Sequence, residues 1–190
     1  YGDHRDRHSS PTRRSSDLRL AKEGRLTLPD EETSRALFLT CSEHLEEHGY
    51  VHYEVSNFAF GEEFMSRHNQ KYWRGAPYLG LGPSAHSFRD GGRWWNYRSI
   101  RKYIDCLASG RPPVEEREEL TLEQKNLEAV FLGLRNSAGV DLSCLSTSPR
   151  AVCELTRAIE QQLVIIRDGR IVPTREGLVT ADRLAELLSD

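Results

Sequence analysis

The chain has four cysteines in 190 residues, Cys41, Cys106, Cys144 and Cys153, and none lies in a CxxC or CxxxCxxC spacing. By itself it therefore offers neither a zinc-finger ligand set nor an iron–sulfur loop. Scattered cysteines fit a reducing, cytoplasmic compartment better than a disulfide framework. No apolar run approaches the ~20 residues of a membrane-spanning helix, so no membrane span is expected. The N-terminus lacks the apolar segment of a secretion signal. Basic residues are not in excess: 26 Lys and Arg stand against 29 Asp and Glu, for a net charge of -3. That excludes bulk nucleic-acid binding on charge alone. What is present, 37% hydrophobic and 29% charged residues, is ordinary for a globular protein of one domain or one and a part.

Residues 1–18, YGDHRDRHSSPTRRSSDL, carry no apolar periodicity. They read as a disordered tail or as a non-native segment, because the string resembles the in-frame translation of a sequencing-library adapter. On either reading His4, His8 and the Arg13–Arg14 pair are assigned no function.

Beyond the tail the chain alternates helical and extended patterns. A helix is expected from LPDEE, with Pro29 in its first turn, Asp30 as cap and Glu31 and Glu32 at the positive dipole end. Its apolar stripe is Leu37, Phe38, Cys41 and Leu45, and Gly49 ends it. YVHYEVSNF alternates Val51, Tyr53 and Val55 with His52 and Glu54, which predicts a strand. Helix, glycine and strand together predict an α/β unit. A second short strand is expected over residues 78–81, breaking at Gly82–Pro83, where Gly80 and Gly82 permit close approach of backbone or ligand. SIRKYIDCLASG predicts a helix capped by Ser99, with Ile100, Tyr103, Ile104 and Leu107 on one face. RPPVEEREE reads as a charged, proline-stiffened linker and places a domain boundary between residues 112 and 113. After it, Thr121 and Gln124 form a capping box that opens a helix through Leu127, Val130, Phe131 and Leu134. A second helix is expected over residues 150–161, then a hairpin turning at Asp168–Gly169, then a closing helix in REGLVTADRLAELL. Helices followed by a two-stranded wing predict a small winged-helix-like module.

Four stretches carry candidate chemistry. HLEEH places His44 and His48 four apart on a helix, the spacing of a zinc-protease pattern. No third ligand is evident, and a solvent-edge pair at a helix end is the preferred reading. In GLGPSAHSF the glycines match neither the dinucleotide nor the P-loop spacing. The loop reads as a strand end lining a pocket, with His86 a ligand, a donor or a satisfied core histidine. In GGRWWNY, Arg93, Trp94 and Trp95 can stack on nucleic acid, but one indole in the core and one at the rim suits an acidic chain better. HNQKYW combines an imidazole able to ligate haem iron with rings able to pack on a porphyrin. Asn69 can hydrogen-bond the imidazole or a backbone, and Arg67 and Lys71 can pair with propionates. In a helix, His68 and Tyr72 share one face. The residues alone equally allow a loop pinned by a buried tryptophan beside an inert His68.

Taken together, YEVSNFA, SRHNQKYW, YLGLGPSAHSF, LGLRNSAGVDL and PTREGLVTADRLAELL resemble the haem chaperones of the HemW type. These are radical-SAM proteins related to oxygen-independent coproporphyrinogen III oxidase. The resemblance runs from about Leu26 to the C-terminus. It implies an α/β fold: the C-terminal part of a radical-SAM partial (β/α) barrel over residues 19–112, then a small helical, winged-helix-like C-terminal domain over residues 113–190. It makes His68, Asn69, Tyr72 and Trp73 the haem-binding HNxxYW positions. Ser56, Asn57, Gly82 and His86 become pocket-lining positions at the ends of late barrel strands. Haem is the implied ligand, respiratory haem proteins the implied recipients, and a 4Fe–4S cluster with S-adenosylmethionine the cofactors of the longer parent. The CxxxCxxC loop and early barrel strands of the family are missing. The resemblance therefore implies a truncated member with no catalytic residue and no metal ligands of its own, whose uncovered strand edges and core faces predict poor solubility. The alternative activity is the anaerobic oxidative decarboxylation of coproporphyrinogen III by the parent. A winged-helix nucleic-acid binder ranks last, because the expected recognition helix has no basic stripe.

Overall fold

The computed structural model describes residues 19–189; the tail over residues 1–18 lies outside them. The chain divides into two compact units, residues 1–40 and residues 41–190. The first contains a helical turn over residues 19–22 and the start of helix α1, Glu31–Glu47. Asp30 caps α1, its Oδ1 accepting from the Thr33 N–H at 2.7 Å, so Pro29 lies before the helix rather than in its first turn. Within α1, Leu37 and Cys41 of the expected apolar stripe are exposed, while Phe38 and Leu45 are half-buried. Gly49, at φ 84°, follows the end of the helix.

The second unit opens with a hairpin, β1 (Val51–Glu54) and β2 (Asn57–Ala59), paired antiparallel with Val51 opposite Ala59. Alternation predicted His52 and Glu54 on the solvent side. Both are buried, as is Tyr53, because the strand has protein on both faces and its polar residues find partners there. Helix α2 (Arg67–Trp73) follows. The strand expected over residues 78–81 reduces to a single bridge between Tyr78 and Phe88. Gly80 comes so close to the His86 carbonyl that a Cβ would collide with it, which is the close backbone approach its glycine allows.

A three-stranded antiparallel sheet is built from β3 (His86–Arg89), β4 (Gly92–Asn96) and β5 (Val114–Glu119), in that order. Strand β5 is the segment read as a linker. It pairs Glu118 with Arg93 and Glu116 with Trp95. As an edge strand with most side chains in solvent, it carries the charge of a linker without being one. Both Trp94 and Trp95 are half-buried, so neither is a full core residue. Helix α3 (Ile100–Ala108) is capped by Ser99. Of its apolar face, Tyr103 is half-buried, and Ile100, Ile104 and Leu107 are exposed.

The C-terminal part follows its sequence closely. Thr121 and Gln124 form the capping box of α4 (Leu122–Gly133). Then come β6 (Val140–Asp141), a 3-10 turn at Leu142–Cys144, and α5 (Pro149–Glu160) with Ser148 as N-cap and Pro149 in its first turn. The wing is β7 (Val164–Arg167) and β8 (Arg170–Pro173). It turns at Asp168 and Gly169, whose φ values of 51° and 72° suit the two-residue hairpin turn that favours Asp-Gly. β6 adds a third strand beside β8. The single closing helix is two, α6 (Arg175–Val179) and α7 (Ala181–Ser189), broken at Thr180 with φ −114°. Their packing shares one core of Val130, Leu134, Val140, Ala158, Val164, Ile171, Leu184, Ala185 and Leu188. Each large side chain buried there contributes about 1.5–3 kcal/mol. Among the described residues no helix is long and apolar enough to cross a membrane.

Candidate functional site

Helix α2 is short, and its placement depends on its two ends and one face. Ser66 caps it, accepting the Asn69 N–H at 3.3 Å, and the Ser66 N–H points to the Tyr53 hydroxyl at 3.3 Å. Gly75, at φ 61°, ends it. One turn separates His68 from Tyr72, so both rings project from one side. Their centroids are 4.8 Å apart and the rings stand edge-on at 72°. Tyr72 continues to Tyr78 at 4.5 Å, and Tyr78 to Phe88 at 6.3 Å in a stacked arrangement. Trp73 turns the other way and packs on Tyr53 at 5.9 Å. Tyr72, Trp73 and Asn69 are half-buried, whereas His68, Arg67 and Lys71 are exposed. The helix is therefore fixed by its aromatic residues and presents its imidazole to solvent between two cationic side chains. That arrangement fits a haem: a nitrogen ligand, apolar rings beside it, and cations for propionates.

Ser56 and Asn57 belong to a different cluster. The buried Glu54 carboxylate accepts the Ser56 N–H at 2.8 Å and the Asn57 side-chain amide at 2.5 Å. Arg135 reaches the same carboxylate at 3.7 Å and Asp182 at 2.6 Å. Two backbone bonds run alongside, Val55 N–H to the Arg135 carbonyl at 2.9 Å and Ser137 N–H to the Tyr53 carbonyl at 3.1 Å. Strand β1 is thereby joined to the end of α4. Ser56 and Asn57 thus occupy the turn of an antiparallel hairpin.

Gly82 and His86 belong to a third cluster. The Asn96 amide, itself buried, donates to the carbonyls of Gly80 at 3.3 Å and Gly82 at 3.0 Å. The Gly82 N–H donates to the Tyr103 hydroxyl at 3.1 Å. His86 is half-buried, with its ring 5.6 Å from that of Trp95. Sequence reasoning missed Glu54, Tyr78, Asn96 and Arg135. Glu54 sits within the YEVSNFA stretch and Tyr78 within YLGLGPSAHSF, but nothing local marks their partners.

His52 is a further buried imidazole. Its Nε2 lies 3.3 Å from the Val55 carbonyl and its Nδ1 2.9 Å from Ser42 Oγ. A carbonyl only accepts, so Nε2 carries the proton and Nδ1 accepts from the serine hydroxyl. Burial holds the ring below its ordinary pKa of 6.5, against the opposing pull of the Val55 carbonyl, Glu46 and Glu54. His44 and His48 stand 4.3 Å apart on α1, and His48 Nδ1 donates to the His44 carbonyl at 2.7 Å. Among the described residues no group of three or more His, Cys, Asp or Glu side chains could hold a metal ion. The four cysteines lie apart, on α1, α3, α5 and the 3-10 turn. The described residues do not fit a 4Fe–4S cluster, and no step is derived through one.

A mixed α/β chain ending in a winged-helix-like module, with an aromatic helix presenting a histidine, is the class of protein seen here. Residues 120–180 match the HemN C-terminal domain family. The heme chaperone HemW of Bacillus subtilis (strain 168) is 39% identical over 122 residues, covering 64% of this chain and 32% of that protein. The heme chaperone HemW of Mycobacterium tuberculosis (strain ATCC 25618 / H37Rv) is 32% identical over 171 residues, covering 90% of this chain and 43% of that protein. Among solved structures, coproporphyrinogen III oxidase (HemN) from Escherichia coli, a radical SAM enzyme, superposes with a TM-score of 0.60 at 16% identity. It covers 85% of this chain and 42% of that one. The chain is thus related to the C-terminal part of HemW-type haem chaperones and shares the fold of HemN. It spans less than half the length of these relatives.

Proposed function

We propose that this chain is the haem-binding C-terminal part of a HemW-like chaperone and holds haem through the HNxxYW helix. The observation that carries the reading is the exposed His68 imidazole, set edge-on to Tyr72 on a helix anchored by Tyr72 and Trp73. His68 supplies the axial nitrogen to haem iron. Arg67 and Lys71 meet the propionates, and Asn69 fixes the helix start through its backbone bond to Ser66. Ser56, Asn57, Gly82 and His86 line a pocket of the longer parent, which carries the 4Fe–4S cluster and S-adenosylmethionine on segments other than those described. Barrel and C-terminal domain meet between residues 112 and 113. The cytoplasm is the compartment, and respiratory haem proteins receive the cargo.

Transfer tests this reading. The 190-residue chain, loaded with ferric haem and separated from excess, is mixed with an apo-haem protein, and the acceptor's absorbance is followed. Haem passes to the acceptor from the parent chain, whereas His68→Ala neither loads nor transfers. Loading of His68→Ala to the level of the parent contradicts the reading. Turnover of coproporphyrinogen III by the full-length protein, with no haem transfer, supports the oxidase alternative.

A further inference from the structure

The ring row does not stop at the helix. Tyr78 is held by two reciprocal backbone bonds with Phe88, each of 2.9 Å, so its ring has a fixed base, and it lies 4.5 Å from Tyr72 and 6.3 Å from Phe88. An imidazole that ligates a porphyrin iron has its own plane perpendicular to the macrocycle, because the metal–nitrogen bond lies in the imidazole plane and along the porphyrin normal. The Tyr72 ring stands at 72° to the His68 ring, close to a right angle. That is the first requirement for Tyr72 to lie parallel to a plate ligated by His68. Aromatic faces in offset contact prefer flat, conjugated partners.

We propose that Tyr72 and Tyr78 form a stacking platform that selects planar, conjugated tetrapyrroles over the puckered, methylene-bridged porphyrinogens, with or without a bound metal. This rests on the reading of α2 as the tetrapyrrole-binding helix but not on ligation by His68. Tyr78 acts through Tyr72 and through its own ring face, and is a positioning and specificity-determining residue. Leu79 and Leu81, exposed on the segment that follows, extend the apolar border of the platform. Coproporphyrin III and coproporphyrinogen III carry the same carboxylates and differ in planarity and conjugation, so charge alone cannot separate them.

The test is an anaerobic binding titration of metal-free coproporphyrin III and coproporphyrinogen III, followed by quenching of protein fluorescence. It uses the parent chain, His68→Ala, Tyr72→Leu, Tyr78→Leu and Tyr78→Phe. Coproporphyrin III binds the parent chain at least about tenfold more tightly than coproporphyrinogen III, Tyr72→Leu and Tyr78→Leu weaken it by about tenfold, and Tyr78→Phe retains it. His68→Ala leaves it unchanged, since there is no iron to ligate. Equal affinity for the two tetrapyrroles, or a Tyr78→Leu chain that titrates like the parent while its circular dichroism is unaltered, overturns the platform. Failure of haem ligation by His68, with the tyrosine effects intact, counts against the ligand assignment and leaves the platform standing.

Discussion

The buried carboxylate of Glu54, on β1, lies 3.7 Å from the guanidinium of Arg135, just past the end of α4. Arg135 in turn holds Asp182 at the start of α7 at 2.6 Å. One ion pair thus joins the hairpin carrying Ser56 and Asn57 to the C-terminal domain. Glu54→Ala strands the Asn57 amide and the Ser56 N–H. Arg135 is partly solvated and keeps Asp182. The expected loss is therefore that of a buried acceptor with its partners, about 2 kcal/mol, rather than that of a dry ion pair. Urea unfolding measures it, with Glu54→Gln retaining about half.

Acid weakens the contact of α1 with β1 through His52. Its native pKa lies below 6.5 because burial disfavours the charged ring. The unfolded chain therefore binds the proton first as pH falls. The stabilisation from neutral His52 is complete above pH 6.5 and is lost progressively as pH drops through the native pKa. The His52→Gln chain keeps an amide able to reach both Ser42 and Val55 and removes the titration. Its stability between pH 7 and the lower native value is expected to be flatter than that of the parent, by urea midpoint at successive pH values. Parallel curves for the two chains count against this assignment.

Gly139 tests the packing of the wing on α4. Its φ is 67°, and a Cβ there would meet the Ile171 carbonyl. Gly139→Ala combines a left-handed backbone penalty with a collision against a strand backbone. The expected loss is about 2 kcal/mol or more, seen as a lower thermal midpoint. An unchanged midpoint contradicts the geometry.

Features decided within a few residues were legible in the sequence. The capping box at Thr121, the Ser99 cap, the Asp168–Gly169 turn and the facing of His68 and Tyr72 each depend on a spacing of four or less. Features decided by distant partners were not. Val114–Glu119 is strongly charged because it is an edge strand open to solvent, and an edge strand with little to bury reads like a linker. His52 and Glu54 alternate as surface residues do, but Ser42, ten positions earlier, and Arg135, far beyond, supply their buried partners. The break at Thr180 has neither Gly nor Pro to announce it. At the candidate site, α2 was readable as a motif. Tyr78 was not, since its meeting with Tyr72 depends on the bridge to Phe88.

The central claim is that His68 ligates haem. Titration of the 190-residue chain with ferric haem, followed at the Soret band beside His68→Ala, tests it most directly. The account predicts a saturable Soret shift in the parent, weakened in His68→Ala by at least about tenfold, the scale of one lost metal ligand or its orienting partner, and restored in position by added imidazole. A His68→Ala chain whose Soret band and midpoint match the parent's contradicts it.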